Sequence, residues 1–258
     1  MIIERLGLAM FQMTTEKGLV LMIDPWITGN PALVQRFRDP ETLKRIDTVL
    51  VSHGHLDHAS GVTEIVAANP DVTVVSNYEL GAIFLSQGIK NIVRMNLGGT
   101  YAWRDIKVTL VPAAHSATYG PDMRPCGPPA GMIITLEDGY KVYYSGDSCL
   151  TSEMRFVVGE YFKPDLAILP VGGALTMDPE QAAYAAGEFI KPRRVIPCHY
   201  LNPEKAPDPS AVANFLKGVA PVSRSVFGDR GNEFKGIMQK RYPGIETTVL
   251  ELGECFRK

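Results

Sequence analysis

The chain has 258 residues, 45% of them hydrophobic and 21% charged, with a formal net charge of −2. That is the balance of a folded globular protein, and it excludes a disordered chain or a polyanion partner held by bulk charge. Met1-Ile2-Ile3-Glu4-Arg5 lacks the basic opening of a signal peptide, no Lys/Arg run marks a nucleic-acid surface, and no apolar stretch approaches the roughly 20 residues that span a bilayer.

Residues Leu6 to Asp24 read as a β-hairpin with Thr14-Thr15-Glu16-Lys17-Gly18 as its tip, the second strand ending at Asp24-Pro25. Trp26 to Pro40 reads as loop with one turn of helix at most, and Glu41 to Ile46 as a short helix. Asp47 to Ser52 is apolar and β-branched, the mark of a buried strand. Directly after it comes His53-Gly54-His55-Leu56-Asp57-His58, four metal-ligand side chains within six residues, in a chain with five histidines in all. Gly54 disfavours a helix there. In extended chain, residues i and i+2 point the same way, so His53 and His55 can grip one ion. Asp57 and His58 follow where the chain turns and can face a second. Imidazole with carboxylate suits zinc, manganese or iron.

Gly61 to Ala68 has helical character, placing Asp57 and His58 just before a helix N-terminus. Asp71 to Ser76 is a strand, and Asn77 caps a helix over Tyr78 to Gln87 that Gly88 stops. Ile92 to Met95 is a strand; Thr100 to Trp103 and Ile106 to Val111 form an antiparallel pair. His115 follows that pair and reads as a third ligand beside His53 and His55. Ser116 to Pro129 is a loop with four prolines, long enough to suggest function rather than connection. Arg124 is its only cation and could meet an anionic substrate group.

Gly131 to Leu136 and Tyr140 to Ser145 form a hairpin that delivers Asp147. A carboxylate has two oxygens and can bridge two cations; the alternative role for Asp147 is the N-cap of a helix near Glu153 to Tyr161. Pro164 to Pro170 holds a buried strand. Asp178-Pro179 caps a helix running to Phe189. Arg193 to Pro197 is a strand that delivers His199. Asp208-Pro209 caps a last helix, Ser210 to Lys217; Phe227 to Glu233 reads as loop and Thr247 to Leu252 as a candidate strand. Cys126, Cys149, Cys198 and Cys255 show no Cys-x-x-Cys spacing and read as free thiols in a reducing cytoplasm, Cys149 and Cys198 as packing residues.

The pattern His-x-His-x-Asp-His at 53–58, followed in order by His115, Asp147 in Ser145-Gly146-Asp147 and His199, resembles the signature of the metallo-β-lactamase superfamily. Met95-Asn96-Leu97-Gly98-Gly99 and Leu175-Thr176-Met177 resemble a branch of metal-dependent hydrolases near the L-ascorbate-6-phosphate lactonases. The resemblance runs from about Gly18 to about Phe215 and implies a four-layer αββα sandwich, an α/β (α+β) fold. It implies that Asp24-Pro25 supports the ligand loop, the alternative being a simple turn. It also implies two divalent metals, zinc first and manganese or iron after it: His53, His55 and His115 hold one, Asp57, His58 and His199 the other, and Asp147 bridges.

The expectation is one domain over residues 1–258, with 222–258 as a C-terminal extension, an edge strand or an oligomer contact. The expected activity is metal-dependent hydrolysis of an ester, lactone or phosphoester in a small, anionic substrate, with Asp57 moving the proton. The competing readings are a mononuclear-iron thiol dioxygenase and a phosphodiesterase or nuclease of the same superfamily. The expected partner is a small molecule, with neither nucleic acid nor membrane, in a protein that can form a homo-oligomer.

Overall fold

A strand sends alternate side chains to opposite faces, and in this chain both faces of the central strands are apolar. Leu50 and Val75 pack inward against Met132, Ile134, Tyr144 and Ile168. Their neighbours Val49, Val51 and Val74 pack the other way, against Val62, Ile65, Leu80 and Phe84. Likewise Val111, Ile133, Ala167 and Val195 face Met154, Val158, Ala182, Ala186, Phe234 and Met238. Three apolar layers of this kind separate four layers of secondary structure: helix, sheet, sheet, helix. The computed structural model describes all residues from Met1 to Lys258, and the αββα sandwich is its architecture.

Each large sheet has seven strands. One runs from edge to edge as Cys255–Arg257, Ile2–Arg5, Phe11–Thr14, Val20–Ile23, Thr48–Leu50, Thr73–Asn77 and Ile92–Met95. The other runs as Glu246–Thr247, Arg194–Cys198, Leu166–Pro170, Lys141–Tyr144, Ala130–Thr135, Ile106–Pro112 and Thr100–Trp103. Both are antiparallel in one half and parallel in the other. Val20–Ile23, Thr48–Leu50, Thr73–Asn77 and Ile92–Met95 are mutually parallel, as are Lys141–Tyr144, Leu166–Pro170, Arg194–Cys198 and Glu246–Thr247. In such sheets, ligands bind outside the carboxyl ends of the strands, and here those ends carry the functional side chains.

Most of the expected elements are present, with shifted ends. Asn77 caps the helix Tyr78–Ser86 through Leu80 N–H at 2.8 Å. Asp178 caps the helix from Pro179 in a reciprocal capping box with Gln181. Four readings need correction. The run after His55, read as loop, is in part helical: Leu56–Ala59 make a turn of α-helix with His55 at its N-cap, so Asp57 and His58 stand within it, still ahead of the helix Val62–Ala68. Met154–Phe162 and Ala185–Ile190 are π-helical. Each closes on a lysine in the left-handed conformation, Lys163 and Lys191, whose N–H groups reach back five residues to Val158 and Ala186 at 2.9 Å. The loop Ser116–Pro129 folds on itself, pairing Thr118–Tyr119 with Arg124–Pro125. The stretch read as loop around Phe227 opens a helix, Arg230–Arg241. It anchors through only two buried large side chains, Phe234 and Met238, one turn apart, which is too sparse a stripe to stand out in sequence.

The C-terminal residues complete both sheets. Glu246–Thr247 adds to one edge beside Arg194–Cys198, and Cys255–Arg257 adds to the other beside Ile2–Arg5. Phe256 enters the inter-sheet core, and the Arg194 guanidinium lies over its ring at 4.3 Å. The tail therefore ties the two sheets together at one end. No helix is long and apolar enough to cross a membrane, and all four cysteines are unpaired. Phe256→Ala is expected to destabilise the protein by about 3–5 kcal/mol, the usual cost of emptying a buried aromatic site, in chemical denaturation. A loss below about 1 kcal/mol, the range of an ordinary surface change, would make the tail an ornament.

Candidate metal centre

The candidate ligands reach one place because five strands end around it. Val20–Ile23 delivers Asp24, Thr48–Leu50 delivers the His53–His58 run, Ile106–Pro112 delivers His115, Lys141–Tyr144 delivers Asp147, and Arg194–Cys198 delivers His199. Two backbone approaches make the convergence tight. A Cβ at Gly54 would stand 2.5 Å from Cys126 Sγ and 3.0 Å from the Thr118 carbonyl, so only glycine lets the ligand loop lie flush on the 116–129 loop. A Cβ at Gly172 would stand 2.6 Å from the His199 carbonyl. Asp24 and His199 both adopt the left-handed backbone conformation, φ 46° and 56°. That is a strained state for a residue with a side chain, and it persists where surrounding bonds hold it. For His199 one such bond is its N–H to the Leu8 carbonyl at 2.6 Å.

The seven side chains form two triads and a link. The ligand atoms of His53, His55 and His115 lie within 4.8 Å of one another, and so do those of Asp57, His58 and His199. Asp147 Oδ2 stands between them, 3.6 Å from His115 Nε2, 3.4 Å from His58 Nε2 and 3.0 Å from His199 Nε2. Asp57 Oδ2 lies 3.5 Å from His58 Nε2 and 3.3 Å from His199 Nε2. Two donors bound to one tetrahedral zinc at about 2.0–2.1 Å are separated by about 3.3 Å, so these spacings fit shared coordination.

Hydrogen bonding decides which atoms are free for an ion. His58 Nε2 and His199 Nε2 are buried close to the Asp57 and Asp147 oxygens but without hydrogen-bond geometry to any group, and Asp147 Oδ1 has no partner, a costly state unless a ligand satisfies them. Behind His53 and His58, by contrast, the polar atoms are engaged, whereas His199 Nδ1 has no partner. Buried Asp24 accepts the Ser52 N–H at 2.7 Å on Oδ1. Its Oδ2 accepts the Ser52 hydroxyl at 2.5 Å, His58 Nδ1 at 2.7 Å and the Tyr144 hydroxyl at 2.6 Å. With Nδ1–H given to Asp24, His58 turns its Nε2 lone pair inward. The Ser52 hydroxyl, its proton committed to Asp24, accepts from His53 Nδ1 at 2.9 Å, so His53 also presents Nε2. His55 meets it through the other nitrogen, Nδ1, 3.0 Å from His53 Nε2.

The electrostatics match an ion's place. Burial disfavours charge on His58 and His199, yet Asp147 and Asp57, with Asp24 acting on His58 as well, outweigh it. His58 is raised well above the ordinary imidazole value, and His199 to about 9. Burial alone would raise Asp57 and Asp147, but His58 and His199 hold both well below the usual carboxyl range. His53, His55 and His115 are lowered, chiefly by burial, and offer neutral nitrogens. Protons on His58 and His199 thus balance the carboxylates where a metal's charge can replace them.

A model of the beta-lactamase superfamily domain matches residues 20–200 of the chain. The chain belongs to the metallo-β-lactamase superfamily. Within it, a UPF0173 metal-dependent hydrolase from Methanobrevibacter smithii is 37% identical over 239 residues, covering 90% of this chain and 96% of that protein. Another, from Roseobacter denitrificans, is 43% identical over 182 residues, 70% of this chain and 78% of that one. A metallo hydrolase from the hyperthermophilic archaeon Ignicoccus hospitalis superposes with a TM-score of 0.78 at 29% identity, over 100% of this chain and 98% of that one. These names state no substrate, and the resemblance to the lactonase branch gains no support from them.

Arg124 is exposed on the two-residue strand paired with Thr118–Tyr119 and is not among the residues lining the cavity beside His55, which include Thr118, Tyr119, Pro121 and Met123. Cys198 is buried as read, whereas Cys149 is exposed. Asp24 carries more of the site than the sequence showed. The signal was its Asp-Pro at a strand end, which fits a turn equally well. Asp24→Asn places an amide NH2 among donors and is expected to lower Zn(II) affinity about 10–100-fold, the usual effect of losing an outer partner of a ligand. Competition with a chromophoric chelator measures this, and unchanged affinity would remove Asp24 from the account. Because metal must displace protons from His58 and His199, Zn(II) affinity of the wild type should climb with pH up to about 9; a plateau reached by the free-imidazole value of about 6.5 would contradict that.

Proposed function

We propose that the protein is a hydrolase working with two divalent metals, zinc foremost, held by His53, His55 and His115 on one side and Asp57, His58 and His199 on the other, with Asp147 shared. The observation that carries the reading is the position of Asp147 Oδ2, within 3.6 Å of imidazole nitrogens from both triads, together with the unpartnered buried atoms around it. Seven donors exceed the four of one zinc site. When bound, such a metal pair supplies Lewis acidity and a water of lowered pKa.

The remaining tasks fall to the chain's own side chains. Asp147 is 4% exposed and Asp57 27%, so Asp57 is the acidic group that both touches the centre and reaches the open cavity lined with His199. It takes the proton released as water adds to the carbonyl carbon and returns it to the alcohol oxygen as the ester bond breaks. Asp24, through Ser52 and His58, holds two ligand rings in their working tautomers. Tyr144 keeps its proton, because burial and the adjacent Asp24 raise its pKa well above the ordinary phenol value, and so serves as a fixed donor to Asp24.

An anionic substrate is the part of the sequence reading that finds no support here. It depended on Arg124, and the side chains lining the cavities beside the metal ligands include no lysine or arginine. Of the ester, lactone or phosphoester of the sequence reading, we retain the ester or lactone, attacked at its acyl carbon, and add a thioester as a further acyl target.

Elemental analysis after saturating reconstitution should give about two metals per chain; a plateau at one, with every ligand intact, would end the dinuclear reading. Asp147→Asn should reduce occupancy of both positions and cut turnover by at least about 100-fold, since a neutral amide cannot bridge as an anion. The reconstituted protein screened on lactones, thioesters, phosphodiesters and β-lactams supplies the rate to be compared. Normal metal content and rate in Asp147→Asn would overturn the shared-ligand assignment.

A further inference from the structure

The cavity of about 190 Å³ that Asp57 and His199 line has apolar walls with no part in the proton transfer assigned to Asp57. We infer that it is the subsite for a neutral, apolar group of the substrate, seated next to the bond that is cut. The inference rests on the hydrolase reading for the identity of that bond, but the pocket itself is argued independently.

Its composition is one-sided. Trp26, Leu175, Phe215, Val226 and Phe227 supply the apolar wall, and the two metal ligands are the only lining side chains that can carry charge. Binding sites for small molecules have this make-up: mostly apolar and aromatic, with a few polar groups converging at one point. Here the groups that can carry charge converge at the metal centre, and the one hydroxyl elsewhere in the lining is that of Ser223.

The wall is preformed. Phe215 sits between Trp26 and Phe227, with ring centroids 5.9 Å and 6.4 Å away. Behind the rings, Leu201, Ala206 and Val212 complete a small buried cluster. Phe215 comes from the helix Pro209–Gly218, and Val226 ends the 3₁₀ turn Pro221–Val226, so residues far from the ligand motif shape the space over the metal centre. The cavity is also open to entry. Leu175 at its mouth is 40% exposed and Leu56 is 67% exposed. Leu56 also lines the apolar cavity beside His55, which makes it a ridge between two apolar basins with the ligand cluster beneath. A substrate draped over it would place a scissile carbonyl near the centre and an apolar arm on the Asp57–His199 side.

Size sets a second constraint. With about 30 Å³ for each water-sized group, 190 Å³ holds a group of about six heavy atoms. An acyl arm that grows into the pocket should therefore gain affinity by about fourfold per buried methylene and then level off.

The test uses zinc-reconstituted protein in two parallel series. The first is hydrolysis of p-nitrophenyl esters from acetyl to octanoyl. The second is binding of the unreactive primary amides from acetamide to octanamide, followed by tryptophan fluorescence in Trp103→Phe. The chain has two tryptophans, so this variant leaves Trp26, in the pocket wall, as the reporter. Both kcat/KM and amide affinity should rise by about fourfold per carbon and flatten near hexanoyl. Leu175→Arg, a change at a solvent-exposed rim, should cut the preference for hexanoyl over acetyl members about tenfold or more in both series, by obstructing the mouth and removing apolar contact. Esters cleaved at rates indifferent to chain length, with amides equally indifferent, would overturn the pocket while leaving the hydrolase reading in place. Amides that bind with the predicted length dependence, while no ester, lactone or thioester is cleaved, would support the pocket and overturn the hydrolase reading. Rates and affinities that depend on length but ignore Leu175→Arg would show that the apolar arm sits elsewhere and overturn the assignment.

Discussion

The Asp24 side chain is the point on which the rest of this structure depends. It leaves the end of a strand in one sheet, and the Tyr144 hydroxyl that it accepts comes from a strand in the other. It is fully buried, where a carboxyl group is expensive unless its oxygens are engaged. Ser52 N–H, Ser52 Oγ, His58 Nδ1 and Tyr144 Oη engage them. A group so placed cannot move without breaking bonds to both sheets and to the ligand loop. Packing of the sandwich and geometry of the centre are therefore one problem, and the strained backbone of Asp24 is held by the same bonds.

From that point order spreads to the candidate ligands. Through His58 it reaches one triad directly, and through Ser52 and His53 it reaches the other. One carboxyl group thereby fixes the tautomer of a ring in each. Across from it, Asp147 offers the second carboxylate at a distance that suits both triads. The arrangement leaves the inner nitrogens of His58 and His199 without hydrogen-bond partners, an unfavourable condition that a metal resolves and that protons relieve only in part. Function and instability thus reside in the same atoms, as is usual where a site is built to hold an ion.

The sequence made the ligands and the sandwich legible for a physical reason. His53, His55, Asp57 and His58 are close in the chain, and continuous apolar, β-branched runs mark strands buried on both faces directly. Other features depend on contacts between distant residues, which no local pattern records. The strand Ile2–Arg5 matters because Cys255–Arg257 pairs with it. The helix Arg230–Arg241 buries only two large side chains, Phe234 and Met238. The aromatic wall over the centre joins Trp26 to Phe215 and Phe227. Arg124, a lone cation in a proline-rich loop near a ligand, looks like an anion clamp in one dimension; in the fold its loop pairs with itself and leaves it exposed.

The most direct test of the account is the metal geometry itself, measured by X-ray absorption and anomalous diffraction on zinc-loaded protein. The account predicts two zinc ions about 3.5–4 Å apart, bridged by Asp147, with Nε2 of His53, His58, His115 and His199 and Nδ1 of His55 as the nitrogen donors. A single zinc ion, or His53 and His58 bound through Nδ1 with Asp24 released, would contradict it.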